Sequence, residues 1–184
     1  MEVKITKITN LELLRDTASF TIGHNSKLSL KNAYKSEHSP IRTQMFKIEM
    51  FNIPSFVSVH FARHKFGVEH FVKSNRDDRP DVDFVADRNT LVNHCMWINA
   101  QELINMSKVR LCKKSSIETQ TVMKMIVDEI KKCDRSLGKF LVPSCIYRNG
   151  LCPEKTCGYK ETTEYKERLN DYLISMGYYK KEMK

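Results

Sequence analysis

The sequence predicts one α+β domain, and three observations carry that reading. A chain of 184 residues, 41% of them hydrophobic, is long enough for a sizeable core and suits one domain. Phe46, Ile48 and Met50 alternate with Lys47 and Glu49, the period of a strand with one buried face. Val122, Met125, Ile126 and Ile130 recur at three- and four-residue intervals, the apolar stripe of a helix lying on a core.

The elements follow in order. Val3-Lys4-Ile5-Thr6 reads as a strand; the rest of residues 1–44 mixes short apolar runs with turn formers. A helix is expected to begin in the stretch from Asn25 to Ala33 and to be ended by Ser39-Pro40. After the strand through Phe46, Ile48 and Met50, Pro54 stands where a first helical turn tolerates proline. The helix from Ser55 to Lys65 would place His60, Arg63 and His64 on one face, leaving Phe56, Val57 and Phe61 to reach the core. Gly67 to Val72 is extended or a turn, and the charged stretch from Asn75 to Asp87, with Pro80, reads as a loop. Leu91 to Cys112 reads as one long helix. Ser115-Ser116-Ile117-Glu118 has capping-box spacing for another, running to about Cys133. Pro143 to Gly158 breaks the pattern, and a short amphipathic helix runs from Thr163 to Met176. This divides the chain into a main body, 1–143, and a Cys-containing turn with a C-terminal helix, 144–184, packed on it. There is no internal repeat and no low-complexity segment.

Lys and Arg number 31 against 22 Asp and Glu, a formal charge of +9 that favours nucleotides, phosphorylated cofactors or nucleic acid as partners. Part of the excess is solvated basic surface in Lys113-Lys114, Lys131-Lys132 and Lys180-Lys181. No apolar run reaches the roughly 18 residues of a membrane span. Met1-Glu2-Val3-Lys4 lacks the apolar core of a signal peptide, so a cytoplasmic protein without a membrane partner is expected. Six cysteines in that setting argue for buried thiols or metal ligands over a disulfide framework. Cys145, Cys152 and Cys157 can bind a structural zinc, with Cys133, Cys112, Cys95 or His94 as fourth ligand, or can simply pack a short tail. His60 and His64 also have metal-ligand spacing. Asp77, Asp78, Asp81 and Asp83 are close enough to hold two metals in a nuclease, although an acidic loop is usually a solvated one.

The densest chemistry lies in Arg63-His64-Lys65 followed by Ser74-Asn75-Arg76: two basic clusters, a histidine and a hydroxyl within fourteen residues. Downstream, Asn99, Asn105 and Arg110 follow at intervals of six and five. Together these resemble the flavin-dependent thymidylate synthases, whose signature is Arg-His-Arg-x-x-Ser-x-Asn-x-x-Ser-x-Arg. The likeness takes in Ser39-Pro40, the strand before Pro54 and the helix after it, and covers roughly residues 36–130. The compact, divergent form is similar to phage-encoded members. Lys65 replaces the second signature arginine, the first signature Ser and the Asn fall at Val68 and His70, and reaching Ser74 and Arg76 takes one inserted residue. Thr43 stands where the family has a histidine, and the stretch from Arg79 to Asn93 lacks the family's longer helical segment with its Glu-x-Ala-Arg-like motif.

The resemblance implies a mostly antiparallel sheet packed against long helices, in a homotetramer with sites at subunit junctions. Arg63, His64 and Lys65 would hold FAD, with Asn99 and Asn105 contacting the flavin. Ser74 and Arg76 would lie against deoxyuridylate, and His60 falls where the family has a nucleotide-binding Gln. Arg110 would reach the uracil or its phosphate as the catalytic cation. The implied reaction transfers a one-carbon unit from methylenetetrahydrofolate to C5 of dUMP with NADPH as electron source, or is a variant modification of a pyrimidine nucleotide. The residue types suit these roles: a planar guanidinium matches phosphate, and a cation beside a uracil carbonyl stabilises charge that builds up on the ring. On one continuous helix Asn99 and Arg110 would stand about 16 Å apart along the axis, so an extended dinucleotide shared between subunits is expected, not one small ligand. The alternative is a relative that has lost flavin and uses the basic groove for nucleic acid, with steep salt dependence.

Overall fold

The computed structural model describes residues 1–76, 78–79, 85–152, 154–155 and 157–178. Alternating segments build one antiparallel sheet of four strands: β1 (Glu2–Lys7), β2 (Met45–Pro54), β3 (Val68–Val72) and β4 (Leu91–Asn99), in the order β1-β2-β4-β3. The register sets Ile5, Ile48, Met96 and His70 side by side, flanked by the row Lys7, Phe46, Ile98, Val68. On this face Phe46, Ile48, Met50, Met96 and Ile98 are completely buried. Lys47, Glu49, Glu69 and Trp97 alternate onto the other.

The stretch 91–112 differs most from the sequence reading. Its first half is β4, lying between β2 and β3, and only Ala100–Arg110 is helical (α4). His94, Met96 and Ile98 are buried at every second position, a strand period that the run of apolar residues obscures. Asn99 ends the strand and caps the helix, its side-chain oxygen accepting from the Glu102 amide at 2.9 Å.

Helix α1 (Leu11–Ile22) was not expected. Only Leu14 and Ala18 of it are buried, too narrow a stripe to announce a helix, and Asn10 and Gly23 cap its ends. The helix expected from Asn25 is the short α2 (Leu30–Lys35), capped by Ser29, and Ser39–Thr43 forms a 3-10 turn. Helix α3 (Ser55–Ala62) follows Pro54 as expected but stops with Arg63 as its cap. Residues 68–72 prove to be strand. Helix α5 (Ile117–Cys133) begins one residue later than the capping-box spacing suggests: Ser116, not Ser115, accepts from the Thr119 amide. It lays Val122, Met123, Ile126, Val127 and Ile130 against the sheet and leads through Asp134 into α6 (Arg135–Gly138).

Helix α7 (Ser144–Tyr147) packs on α4, and α8 (Thr163–Met176) packs on α7. Tyr159, Tyr165 and Tyr172 join the same core as the sheet residues, so aromatic burial ties the C-terminal segment to the main body. Among the described residues no helix is long and apolar enough to cross a membrane.

Candidate functional site

The C-terminal end of α3, the turn at Gly67, helix α4 and the first turn of α5 meet around His60 and His64. Arg110 donates from Nε to His64 Nε2 at 3.2 Å, so Nε2 carries the lone pair and the ring proton sits on Nδ1. That proton is donated to Glu102 Oε1 at 2.7 Å. The Glu102 carboxylate is buried, and its other oxygen accepts from Asn105 Nδ2 at 3.2 Å. Asn105 in turn accepts from Lys108 Nζ at 3.3 Å. Arg110, His64, Glu102, Asn105 and Lys108 thus form one hydrogen-bonded row with its imidazole tautomer set.

His60 stands one turn before His64 and pairs through Nδ1 with the Thr119 hydroxyl at 2.8 Å. Burial pushes its pKa down, helped by the positive charges of Arg110, Arg63 and Arg88. Arg88 lies over the Phe56 ring at 4.6 Å, and that ring meets His60 edge-on. Half-burial and the neighbouring Arg63 lower the pKa of Arg110 as well. Neither Arg63 nor Arg110 makes an ion pair among the described residues, so the face carries unneutralised guanidinium charge.

Gly67 is at φ +72°, and its carbonyl accepts from the Asn99 amide at 2.9 Å. A Cβ here would stand 2.3 Å from Asn99 Nδ2. Gly67→Ala is therefore expected to cost roughly 2–3 kcal/mol, combining left-handed backbone strain with displacement of the α4 cap. Urea unfolding measures it; a loss below about 0.5 kcal/mol would show that Asn99 moves freely.

A second row runs beneath the first. Ser58 Oγ meets His94 Nδ1 at 2.9 Å, His94 Nε2 meets His70 Nδ1 at 2.9 Å, and His70 Nε2 donates to the His64 carbonyl at 2.7 Å. A carbonyl only accepts, so in the neutral network every donor points from Ser58 towards His64. Burial, then His70, push the His94 pKa down to about 4. In the unfolded chain a histidine titrates near 6.5, so below that pH the unfolded state takes up a proton that the folded state refuses. This contribution to stability is complete above about pH 6.5 and is lost as pH falls towards 4, on the order of 3 kcal/mol in all. Urea midpoints at pH 7.5 and 4.5 should differ less for His94→Leu than for the native chain; equal differences would refute the assignment.

No protein-family profile matches the sequence. Over 80 residues, 42% of this chain and 31% of the relative, it is 29% identical to the flavin-dependent thymidylate synthase of Sulfurisphaera tokodaii. Over 70 residues, 38% of this chain and 27% of the relative, it is 31% identical to that of Clostridium tetani. The matches thus span about a third of the length of these relatives. Thymidylate Synthase X (ThyX) from Helicobacter pylori, solved with FAD and dUMP, superposes with a TM-score of 0.63 at 14% identity, over 77% of this chain and 99% of that one. The chain resembles the flavin-dependent thymidylate synthases in part of its sequence and shares the fold of ThyX. The UMP/dUMP methylase PolB of Streptomyces cacaoi, bound with 5-Br dUMP, shares the fold at a TM-score of 0.56 and 12% identity, over 76% of this chain and 94% of that one.

In this chain the fold brings together Arg63, His64, Asn105 and Arg110, with His60 alongside and Asn99 at the edge as cap. Asn99 and Arg110 do not share one helix, since Asn99 closes β4; Gly67 and Glu102 connect it to the site. Lys65 is exposed. Ser74 and Arg76 are not gathered in: strand β3, about 16 Å long, separates them from Gly67. Arg76 pairs instead with Asp78 at 3.0 Å, and Ser74 lines a separate surface cavity with Lys73, Asp87 and Thr90. Asp77, Asp81 and Asp83, the rest of the nuclease reading, lie outside the described residues.

Cys145, Cys152 and Cys157 line one cavity together with Cys112, while Cys95 and His94 lie on β4 and Cys133 ends α5. Among the described residues no three metal-ligating side chains are placed to hold an ion. His60 and His64 turn their Nδ1 atoms to Thr119 and Glu102, not to a common point.

Glu102 and Ser58 were missed by sequence reasoning, and His94 was considered only as a zinc ligand. For Glu102 a signal existed: Asn99-Ala-Gln-Glu102 has the spacing of a cap and its third helical residue. Reading a helix straight through Leu91–Cys112 hid it.

Proposed function

We propose that this protein is an FAD-dependent enzyme that transfers a one-carbon unit from methylenetetrahydrofolate to C5 of dUMP, with NADPH as reductant, or makes a related modification of a pyrimidine deoxynucleotide. The single observation that supports it most is the row Arg110–His64–Glu102–Asn105, which unites motif residues far apart in sequence. Flavin, when bound, supplies the electron and hydride transfer that side chains cannot.

The chain's own residues suit the group. Arg63 and Arg110 offer guanidinium charge without carboxylate partners, fitting an anionic dinucleotide. The orientation of Arg110 is held through His64, whose proton Glu102 keeps on Nδ1. A guanidinium so held can steady negative charge developing on a uracil ring without moving during the reaction. Asn105 adds an amide group within the row and Asn99 adds another beside Glu102, while Lys65 contributes charge without a planar fork.

Ser74 and Arg76 would come from a neighbouring copy, in keeping with a homotetramer. Val59, Phe66, Val109 and Ile117, on the same segments as His60, Lys65, Arg110 and Thr119, are exposed, Phe66 by 86%. Such apolar side chains around a polar site favour a subunit contact.

The test is the visible absorption spectrum of the purified chain, alone and with excess FAD. Bound-flavin bands are expected, with affinity reduced roughly tenfold or more in Arg63→Ala and His64→Ala. No bound flavin at saturating FAD would reject the enzyme and direct attention to nucleic acid, whose binding would weaken steeply with salt.

A further inference from the structure

A cavity of about 560 Å³ opens between the end of α4 and the Cys-containing segment after α7. That volume suits a small-molecule ligand. Its lining is strongly positive: Lys108, Arg110, Lys113, Lys114 and Arg148 face a single carboxylate, Glu154. Lys108 is partly neutralised by Glu37 at 3.6 Å and Lys113 by Glu164 at 3.2 Å. Arg110, Lys114 and Arg148 make no ion pair among the described residues.

The Cys145 thiol supplies no compensating charge. Burial and the neighbouring Cys152 push the Cys145 thiol up, which keeps it protonated. Burial depresses the Lys108 ammonium, and the nearby Arg148 adds repulsion. Like charges gathered in one recess repel, and an anion entering it relieves that repulsion. The backbone that carries Arg148 is fixed: its amide donates to the Ser144 carbonyl, and the Gly150 amide closes the following turn onto Cys145.

We propose that this cavity, which adjoins the candidate flavin site through Arg110 and Lys108, is a second ligand site for a molecule carrying a diphosphate or a similarly dense anionic group. It is built jointly by the end of α4 and the C-terminal segment. Arg148 and Lys114 come from different parts of the chain and grip the anion, while the thiols and Tyr159 form a soft wall for the rest of the ligand.

Calorimetric titration of the whole chain with inorganic pyrophosphate, with and without saturating FAD, tests this. One-to-one binding is expected in both conditions, weakened roughly tenfold or more in the Lys114→Ala/Arg148→Ala double variant. Both side chains are exposed, so the variant should fold and keep its flavin spectrum. Absence of saturable binding, or equal binding by the double variant, would overturn the proposal. Binding abolished by FAD would assign the cavity to the flavin site instead. Stoichiometric zinc in the purified protein, lost in Cys145→Ser, would make the thiols metal ligands and also overturn it. Flavin binding is read separately, so the flavin assignment can fail while this site stands.

Discussion

Asp134→Ala is expected to destabilise the protein by about 3–5 kcal/mol, the loss typical of removing one partner from a buried ion pair. Asp134 is only 4% exposed, yet it serves two distant parts of the chain and the helix that follows it. Its Oδ2 accepts from Lys7 Nζ in β1 at 2.7 Å and from the Tyr34 hydroxyl in α2 at 2.8 Å. Its Oδ1 caps α6 through the Leu137 amide at 3.0 Å. Burial and the carboxylate keep the Tyr34 phenol protonated, so it remains a donor. Alanine would strand a lysine and a phenol in a nearly dry recess and uncap a helix. Asp134→Asn keeps the shape and the oxygen facing Leu137 but loses the charge against Lys7, so it should fall between the two. Urea unfolding at pH 7 reads the series. A loss below about 1 kcal/mol for alanine would mean that water enters and replaces these bonds.

Glu102→Ala should have the largest effect on function, lowering flavin affinity roughly 10- to 100-fold. The carboxylate receives the His64 proton and one Asn105 amide hydrogen, and without it both donors are left unpaired. The imidazole is then free to change tautomer and turn away from Arg110. Glu102→Gln preserves an acceptor for His64 and should recover most of the affinity. That contrast separates orientation from mere folding: a positioning role predicts rescue by glutamine at equal stability. If alanine and glutamine bind FAD as tightly as the native chain, His64 is held by other contacts.

What could be read from the sequence was local. The helix of α5 follows from its own stripe and β2 from its own alternation, whereas α3 ends at Ala62, so His64 lies beyond the helix that was expected to put it on one face with His60 and Arg63. The motif residues and their spacing were likewise legible, because each lies on a short element whose geometry depends on a few neighbours. Strand β4 was not so plain. Its apolar content fits helix or strand, and pairing with β2 and β3, more than twenty residues away in sequence, settles the choice. Helix α1, with two buried residues, is likewise held by its caps and its neighbours more than by its own pattern.

The same division runs through the site. By itself the sequence determined which chemical groups are present: guanidinium pairs, a histidine at their centre, amides and thiols at set intervals. Only the tertiary structure decided which of them meet. It set Glu102 against His64, sent Ser74 and Arg76 beyond the far end of β3, and brought Cys112 and Arg148 to one cavity from segments more than thirty residues apart. The reason is physical: residue type and period are properties of a few consecutive peptide units, whereas contact between distant side chains depends on how sheet and helices pack together.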